Sequence, residues 1–302
     1  MAKRPHVALL VETSIRYGRE VLQGVTRYLR SHPPWSVFLE QQELFASPPR
    51  WLRNWRGDGV ICRKTSPELA RVLGRAGVPV VDLTDTNPAP GLPRIESDHR
   101  AIGGLAAQHL LERGFTRFAF CGFGDQAWSV GRRAGFLARL GERGHGPGAC
   151  DVWESPRTGP RADPWEREQD QIVRWLRSLP RPVGIMACND MRGQHVLDAC
   201  QRIDLAVPEE AAVVGVDDDA LLCNLCHPPA LQRHPQRRAG RVRGRRPAGP
   251  ADGGRAAAAR AAADRAARRA GAAVHRRAGD RRPGPWRRSC GSSASARARG
   301  VR

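Results

Sequence analysis

Short apolar runs alternate with longer segments of helical periodicity as far as residue 216. The run HVALLV at 6–11 is short and continuously apolar, which is typical of a strand buried on both faces of a parallel sheet. The same pattern predicts strands at 35–40, 57–62, 78–83, 117–122, 150–155, 183–188 and 211–216, and helices at 21–29, 49–55, 67–77, 97–114, 129–144, 165–179 and 191–203. Alternation of strands with helices predicts an α/β fold with parallel sheets.

A proline-rich segment at 84–98 interrupts this alternation, which then restarts. We therefore expect two doubly wound parallel-sheet lobes, the first at 1–114 and the second at 115–229. In such folds ligands bind beyond the carboxyl ends of the strands, so the loops after each strand are the candidate site.

Polar residues follow several of the predicted strands. Asp and Asn accept hydrogen bonds from sugar hydroxyls, and Arg donates them in a fixed fork. The set therefore suits a polyhydroxy ligand, although helix caps and turns use the same residue types. The sequence alone leaves both interpretations open for these residues: Thr13, Ser14, Asp98, Gly124, Asp125, Arg132, Asn189, Asp190, Asp217, Asp218 and Asp219.

The net charge of +20 suggests a nucleic-acid partner, but its distribution argues otherwise. Residues 231–302 hold 21 Arg, no Lys and 3 Asp, which accounts for 18 of the 20 net positive charges. The preceding residues carry 29 basic and 27 acidic side chains and are nearly neutral. The body of the chain is thus expected to be an ordinary globular protein.

No apolar run approaches the roughly 20 residues needed to span a bilayer, and the apolar part of the N-terminus is too short for a signal peptide. We expect a cytoplasmic protein without membrane contact. Its eight Cys are then expected to be buried apolar side chains. Cys223, Cys226 and His227 have the C-x-x-C-H spacing of covalent haem attachment, but that chemistry takes place outside the cytoplasm. We expect no cofactor and no metal.

Four segments together resemble the sensor domain of lactose-repressor-type regulators, which share the fold of periplasmic sugar-binding proteins of type I. They are DHRAIGGLAAQHLLERGFTRFAF, RRAGF, MACND and VPEEAAVVGVDDD. The segments VALLVETSIRYGREVLQGVTRYL and WLRNWRGDGVI further resemble the xylose-responsive subgroup. Members of that subgroup begin on the sensor and carry an arabinose-regulator-type pair of helix-turn-helix motifs at the C-terminus. The resemblance covers residues 5–229.

The resemblance implies a pentose ligand, xylose, bound between the lobes, whose closure shifts a dimer between states that differ in DNA binding. It places Ser14 and Tyr17 at the mouth of the first loop and Asp98 at the crossover between lobes. Polar contacts to the sugar are implied for Arg132, Asn189 and Asp217, with Asp190 matching the pattern beside them. For Arg192 and His195 we favour structural roles. Trp128 and Trp153 are candidates either for stacking on a sugar or for the core.

The chain departs from this family after about residue 229. The family continues with elements that return to the first lobe and then with a DNA-binding domain, whereas residues 230–302 are rich in Arg, Ala, Gly and Pro and poor in large apolar residues. Codons for these four residues are rich in G and C, which predicts translation in a shifted reading frame. We expect a disordered or poorly structured tail and no sequence-specific DNA binding. An intact sensor is expected to form a homodimer, and both stability and dimerisation are expected to be weakened here.

Two other functions remain as alternatives. A stand-alone or transport-associated sugar-binding protein would share the fold, but the missing signal peptide argues against it. An enzyme is disfavoured because the chain contains no phosphate-binding loop, H-E-x-x-H motif or G-x-S-x-G elbow.

Overall fold

The computed structural model describes residues 4–41, 49–63, 66–75, 77–85, 92–156, 164–226 and 241–243. The strands within these residues are β1 His6–Val11, β2 Ser36–Gln41, β3 Gly59–Cys62, β4 Val80–Asp82, β5 Arg94–Glu96, β6 Phe118–Phe123, β7 Cys150–Ser155, β8 Val183–Ala187, β9 Ala211–Val214 and β10 Arg241–Arg243. The helices are α1 Arg16–Arg30, α2 Pro67–Arg75, α3 His99–Leu111, α4 Ala127–Glu142, α5 Trp165–Ser178, α6 Asp190–Arg202 and α7 Ala220–Leu225.

The first lobe is a six-stranded sheet in the order β10-β5-β4-β3-β1-β2. Strand β1 pairs in parallel with both β2 and β3, and Val7 lies opposite Val37 and Gly59. Strand β1 lies inside the sheet with both faces covered, which explains its continuous apolar sequence. On one face of the sheet, Ala8 and Leu10 share a core with α2. On the other face, Leu9 shares a core with α1.

The second lobe is a parallel sheet in the order β7-β6-β8-β9. One face packs against α5 and α6, with Ile172 and Val196 fully buried there. The other face packs against α3 and α4, with Phe120 and Phe136 at its centre. Helices on both faces of two parallel sheets confirm the predicted doubly wound, periplasmic-binding-protein-like fold.

Helix α3 shifts the boundary between the lobes. The sequence analysis assigns 1–114 to the first lobe, but Ile102 and Leu110 of α3 belong to the core of the second lobe. A Cβ atom on Gly103 would lie only 1.9 Å from the backbone oxygen of Arg132, so α3 and α4 touch backbone to backbone. The chain therefore enters the second lobe at the start of α3, and the predicted boundary after residue 114 is corrected to this point.

The predicted tail, 230–302, contributes one strand to the fold. Residues Arg241–Arg243 form β10, which pairs antiparallel with β5 at the edge of the first sheet. These three residues satisfy backbone groups at the edge of β5, and a single three-residue strand is compatible with the predicted disordered or poorly structured tail. Residues 227–240 and 244–302 lie outside the described residues.

Two short elements escaped the sequence analysis. Strand β5 has three residues and helix α7 has six, so neither is long enough to establish a hydrophobic period. The predicted helix at 49–55 is a 3-10 turn at Arg50–Asn54 that buries Leu52. Among the helices of the described part, none is long and apolar enough to cross a bilayer.

Candidate functional site

The carboxyl ends of the strands of both lobes meet in one polar cleft. Helix α1, which follows β1 in the first lobe, contacts the loop after β9 in the second lobe. The contacts are ion pairs from Arg16 to Asp218, with Nη1 3.1 Å from Oδ2, and from Arg19 to Asp219, with Nη2 3.2 Å from Oδ2. The loops at the carboxyl ends of the strands, where ligands bind in this fold class, therefore face one another between the two lobes.

Arg132 is the most enclosed of the predicted site residues with a charge. It lies on α4 with 5% of its surface exposed, and its guanidinium donates to the backbone carbonyl of Cys188 at the end of β8. Its Nη2 lies 3.7 Å from Oδ1 of Asp217, and the Trp128 ring centroid is 5.0 Å from its central carbon. Its Nε is buried and has no hydrogen-bond partner within the described residues.

Asp217 begins an unusual loop. Asp217 and Asp218 have φ values of 102° and 54°, in the left-handed region that Asp tolerates better than most residues. The carboxylate of Asp190 accepts a hydrogen bond from the backbone N–H of Asp219 at 2.6 Å. That bond fixes the loop to the first turn of α6. Asp190 thus holds the loop, which is a structural contact inside the second lobe.

The pKa of Asp190 is raised to about 7, mainly by burial; the hydrogen bond from the Asp219 N–H opposes the increase, and the charges of Asp217, Asp218 and Asp219 add to it. Its Oδ1 is buried without a hydrogen-bond partner in the part of the chain described. A neutral carboxyl group suits this position better than a carboxylate, because an uncompensated buried charge is costly.

Asn189 and Asp98 both cap helices. Asn189 Oδ1 accepts from the backbone N–H of Arg192 at 2.9 Å, at the start of α6. Asp98 Oδ1 accepts from the backbone N–H of Ala101 at 3.0 Å, at the start of α3 and at the crossover between lobes. Both residues therefore cap helices, and each cap uses the Oδ1 atom of the side chain.

Ser14 and Tyr17 lie on the first-lobe wall of the cleft. The exposed Ser14 lies after β1, and its backbone carbonyl accepts from Arg19 at 2.8 Å. The Tyr17 ring lies under the guanidinium of Arg63, with 4.3 Å between the ring centroid and Cζ. Arg63 in turn forms a buried ion pair with Glu12. Neither Arg63 nor Glu12 was predicted as a site residue.

Asp85 and His99 form a further pair that the sequence analysis missed. Asp85 Oδ1 lies 3.6 Å from His99 Nε2, and it accepts from the backbone N–H of Ser97 at 3.4 Å. Burial alone would raise the pKa of Asp85, but His99 and the charges of Arg63 and Arg132 lower it below its usual value. Both guanidinium groups, one from each lobe, therefore lie near this carboxylate.

The structure brings the seven predicted site residues into two groups. Arg132, Asn189, Asp190 and Asp217 lie together in the second lobe, and Ser14 and Tyr17 lie in the first. Asp98 lies between the groups, next to His99. Strand ends point to three further residues: Glu12 and Arg63 stand directly after β1 and β3, and Asp85 lies three residues after the end of β4.

A second polar network lies inside the second lobe. Arg192 is fully buried, forms an ion pair with Glu168 at 3.1 Å, donates to Ser155 Oγ at 2.8 Å and packs under Phe123. Burial, aided by the charge of Arg192, lowers the pKa of His195 to about 4. These contacts match the structural roles that the sequence analysis favoured for Arg192 and His195.

The C-x-x-C-H segment is not arranged as a ligand set within the described residues. Cys223 and Cys226 are both buried, and burial raises the pKa of Cys223 to about 12. His227 lies outside the described residues. No group of three or more His, Cys, Asp and Glu side chains in the described part is placed to hold a metal ion.

Two family models match the chain. A periplasmic binding protein-like domain matches residues 107–284, and the XylR N-terminal domain matches residues 6–92. The first match continues past residue 230, where the sequence analysis expects the family sequence to end. The shifted reading frame of the tail stays a prediction.

Known proteins with similar sequences are regulators. The xylose operon regulatory protein of Escherichia coli K12 is 30% identical over 227 residues, and that of Haemophilus influenzae is 31% identical over 224 residues. Each match covers 72% of this chain and 56% of the relative, so the chain spans about half the length of these relatives.

Solved structures share the fold. The structure of xylose-binding transcription activator xylR matches with a TM-score of 0.64 and 24% identity over 95% of this chain and 66% of that chain. A transcriptional regulator CelR–cellobiose complex matches with a TM-score of 0.56 and 21% identity over 76% of this chain and 73% of that chain. From these matches and the two-lobed fold, we conclude that this chain belongs to the periplasmic binding protein-like family, and its residues 6–92 are similar to the XylR N-terminal domain.

Proposed function

We propose that this chain is the sugar-sensing part of a transcriptional regulator and that it binds a pentose, xylose, in the cleft between its lobes. The observation that carries the proposal is the buried guanidinium of Arg132 between Cys188 and Asp217, with a donor left over. The Nη2 group lies 3.7 Å from Asp217 Oδ1, beyond hydrogen-bond distance, so it can donate to a ligand oxygen placed beside Asp217.

The surrounding groups suit a sugar. Asp217 offers carboxylate oxygens to hydroxyl groups, and the Trp128 ring beside Arg132 offers an apolar face. On the opposite wall, Tyr17 and the Ser14 hydroxyl provide neutral hydrogen-bonding groups. We assign direct ligand contacts to these residues and to the side-chain amide of Asn189, while Asp98 and Asp190 shape the walls.

The regulatory assignment rests on the names of the relatives, which are a xylose operon regulatory protein and a xylose-binding transcription activator. We propose that ligand binding shifts the lobes toward a closed arrangement and leaves the sugar chemically unchanged. We propose that the protein acts in the cytoplasm. Dimerisation and sequence-specific DNA binding are proposed only for a chain with the whole length of such a regulator.

Isothermal titration calorimetry with D-xylose, L-arabinose, D-ribose and D-glucose tests the sugar site. We expect D-xylose to bind, and Arg132→Met to weaken binding by about 10- to 100-fold, because charge-assisted hydrogen bonds contribute about 1.5–3 kcal/mol each. Arg139→Met is the matched control, since Arg139 lies on the same helix and contacts Gln108 and Glu142 instead.

Two results would count against the proposal. Absence of heat with every sugar would remove the sensor function, and equal losses in the Arg132 and Arg139 variants would remove the assigned site. Nuclear magnetic resonance spectra of D-xylose incubated with the protein should stay unchanged, whereas a new product would indicate an enzyme.

A further inference from the structure

Two ion pairs join the lobes at the edge of the cleft. Arg16 and Arg19 lie one turn apart on α1 of the first lobe, and Asp218 and Asp219 precede α7 in the second lobe. The closest atoms are 3.1 Å apart in the pair of Arg16 with Asp218 and 3.2 Å apart in the pair of Arg19 with Asp219. We call these four residues the interlobe clasp.

The arginines of the clasp are oriented by their own lobe. Arg19 uses Nη1 to donate to the backbone carbonyls of Thr13 and Ser14, at 3.0 and 2.8 Å, and uses Nη2 for the second lobe. Arg16 uses Nε to donate to Glu20 at 2.8 Å and Nη1 for the second lobe. Each guanidinium therefore holds its position by contacts within the first lobe and uses another nitrogen to reach the second lobe.

The aspartates of the clasp share a loop with the proposed ligand contact Asp217. The Asp219 carboxylate also accepts from the backbone N–H of Leu221 at 3.2 Å, and its own N–H is held by Asp190. The left-handed φ of Asp217 and Asp218 turns successive carboxylates in different directions. One short loop thus connects Asp217, which lies near Arg132, to both contacts with α1.

We propose that Arg16 and Arg19 are positioning residues of the ligand cleft, which stabilise the closed arrangement of the lobes through Asp218 and Asp219. This inference rests on the proposed function, because closure is useful only around a ligand. The side chains of the pairs are partly exposed, 26% for Arg16 and 32% for Asp218, so each pair is weak and sensitive to salt. Weak pairs allow a closure that is reversed when the ligand is released.

A double-mutant cycle on Arg16 and Asp218 tests the clasp. Asn is chosen at 218 because it tolerates a left-handed φ, so Asp218→Asn removes the charge and keeps the backbone. We expect Arg16→Gln, Asp218→Asn and the double variant each to weaken D-xylose binding by the same factor, about two- to fivefold, because one pair is lost in all three. Arg30→Gln, at the far end of α1, is the matched control and should bind as the wild type does.

Salt provides a second measurement that needs no variant. Raising sodium chloride from about 50 to 500 mM should weaken D-xylose binding to the wild type by a similar factor and to the double variant by less. Independent losses that multiply in the double variant, or equal salt dependence of both proteins, would overturn the clasp.

Small-angle X-ray scattering of the sugar-free protein separates failure of the clasp from failure of the sugar site. If the clasp holds the lobes together, the radius of gyration should rise in 500 mM salt for the wild type and should already be raised in the double variant at 50 mM. If no sugar binds but this increase is seen, the clasp stands and the proposed ligand is wrong. If D-xylose binds and the scattering of all proteins is the same, the clasp is wrong and the ligand stands.

Discussion

Replacement of Asp190 by Asn tests whether this buried carboxyl group is neutral near pH 7. Asp190 is 6% exposed, and its Oδ2 accepts from the Asp219 backbone N–H at 2.6 Å. Asn has nearly the same shape and keeps an oxygen acceptor for that bond, so the substitution changes mainly the ability to ionise. The variant therefore isolates the effect of Asp190 ionisation on the free energy of unfolding.

The magnitude follows from the pKa, which burial first and the neighbouring aspartates second raise from 3.8 to about 7. A group whose pKa is raised by folding stabilises the folded state when protonated, and this contribution is lost as the pH rises toward 7. Each pKa unit corresponds to about 1.4 kcal/mol, so the full window between about pH 4 and pH 7 changes the free energy of unfolding by about 4 kcal/mol.

His195 titrates in the opposite sense. Burial lowers its pKa from 6.5 to about 4, so acidification below pH 6.5 protonates the unfolded state first and destabilises the fold. In the wild type the two contributions offset each other between about pH 4 and pH 6.5. In the Asp190→Asn variant only the His195 contribution is left, and stability should fall by about 2 kcal/mol between pH 7 and pH 5.

Urea unfolding followed by tryptophan fluorescence at pH 5, 6, 7 and 8 measures these free energies. We expect Asp190→Asn to be more stable than the wild type by about 2–4 kcal/mol at pH 8 and to approach it near pH 5. Asp198→Asn is the control on the same helix, where Asp198 pairs with Arg202 at 2.9 Å on the outer side. A difference between Asp190→Asn and the wild type that is constant across these pH values would show that Asp190 is ionised throughout and would refute the reasoning.

Two further predictions concern the packing of the second lobe. Gly103→Ala should lower the free energy of unfolding by at least about 2 kcal/mol, because the new Cβ would lie 1.9 Å from the backbone oxygen of Arg132. Gly141→Ala on α4, where nothing lies within 4 Å, should instead raise it by about 0.5–1 kcal/mol, and equal effects in urea unfolding would disprove the close approach. Arg192→Met should cost about 3–5 kcal/mol by the same measurement, because it leaves Glu168 without its buried partner. The double variant Arg192→Met with Glu168→Gln should recover part of that loss, and no recovery would refute the role of the pair.

The hydrophobic pattern was sufficient to predict most of the fold. Strand β1 lies at His6–Val11 as predicted, because a strand that is covered on both faces of a parallel sheet must be apolar on both faces. The pattern predicted α3 as well, but it could not say which sheet the apolar face of α3 covers. Only the tertiary contacts of Ile102 and Leu110 place that helix in the second lobe.

The candidate site was predicted in part, and the reason lies in how far apart its members are in the chain. Arg132 and Asp217 could be expected near each other because both follow strands of one sheet. The pair of Arg16 with Asp218 joins residues that are far apart along the chain, and no local sequence pattern indicates this pair. Arg63 and Asp85 lie in the loops after β3 and β4, so the positions of the strand ends in the sequence indicate them as well.

Residues 217–219 show how one repeated residue type can take three roles. In regular structure consecutive carboxylates would reach similar partners on one or two faces, whereas the left-handed φ of Asp217 and Asp218 sends them toward Arg132, Arg16 and Arg19. Such conformations cost about 1–3 kcal/mol each and persist only when neighbouring contacts hold them. The bond from Asp190 to the Asp219 N–H is one such contact. The proposed ligand contact, the proposed clasp and a carboxyl group that titrates near pH 7 therefore depend on the same loop, so a change at any one of them is transmitted to the other two.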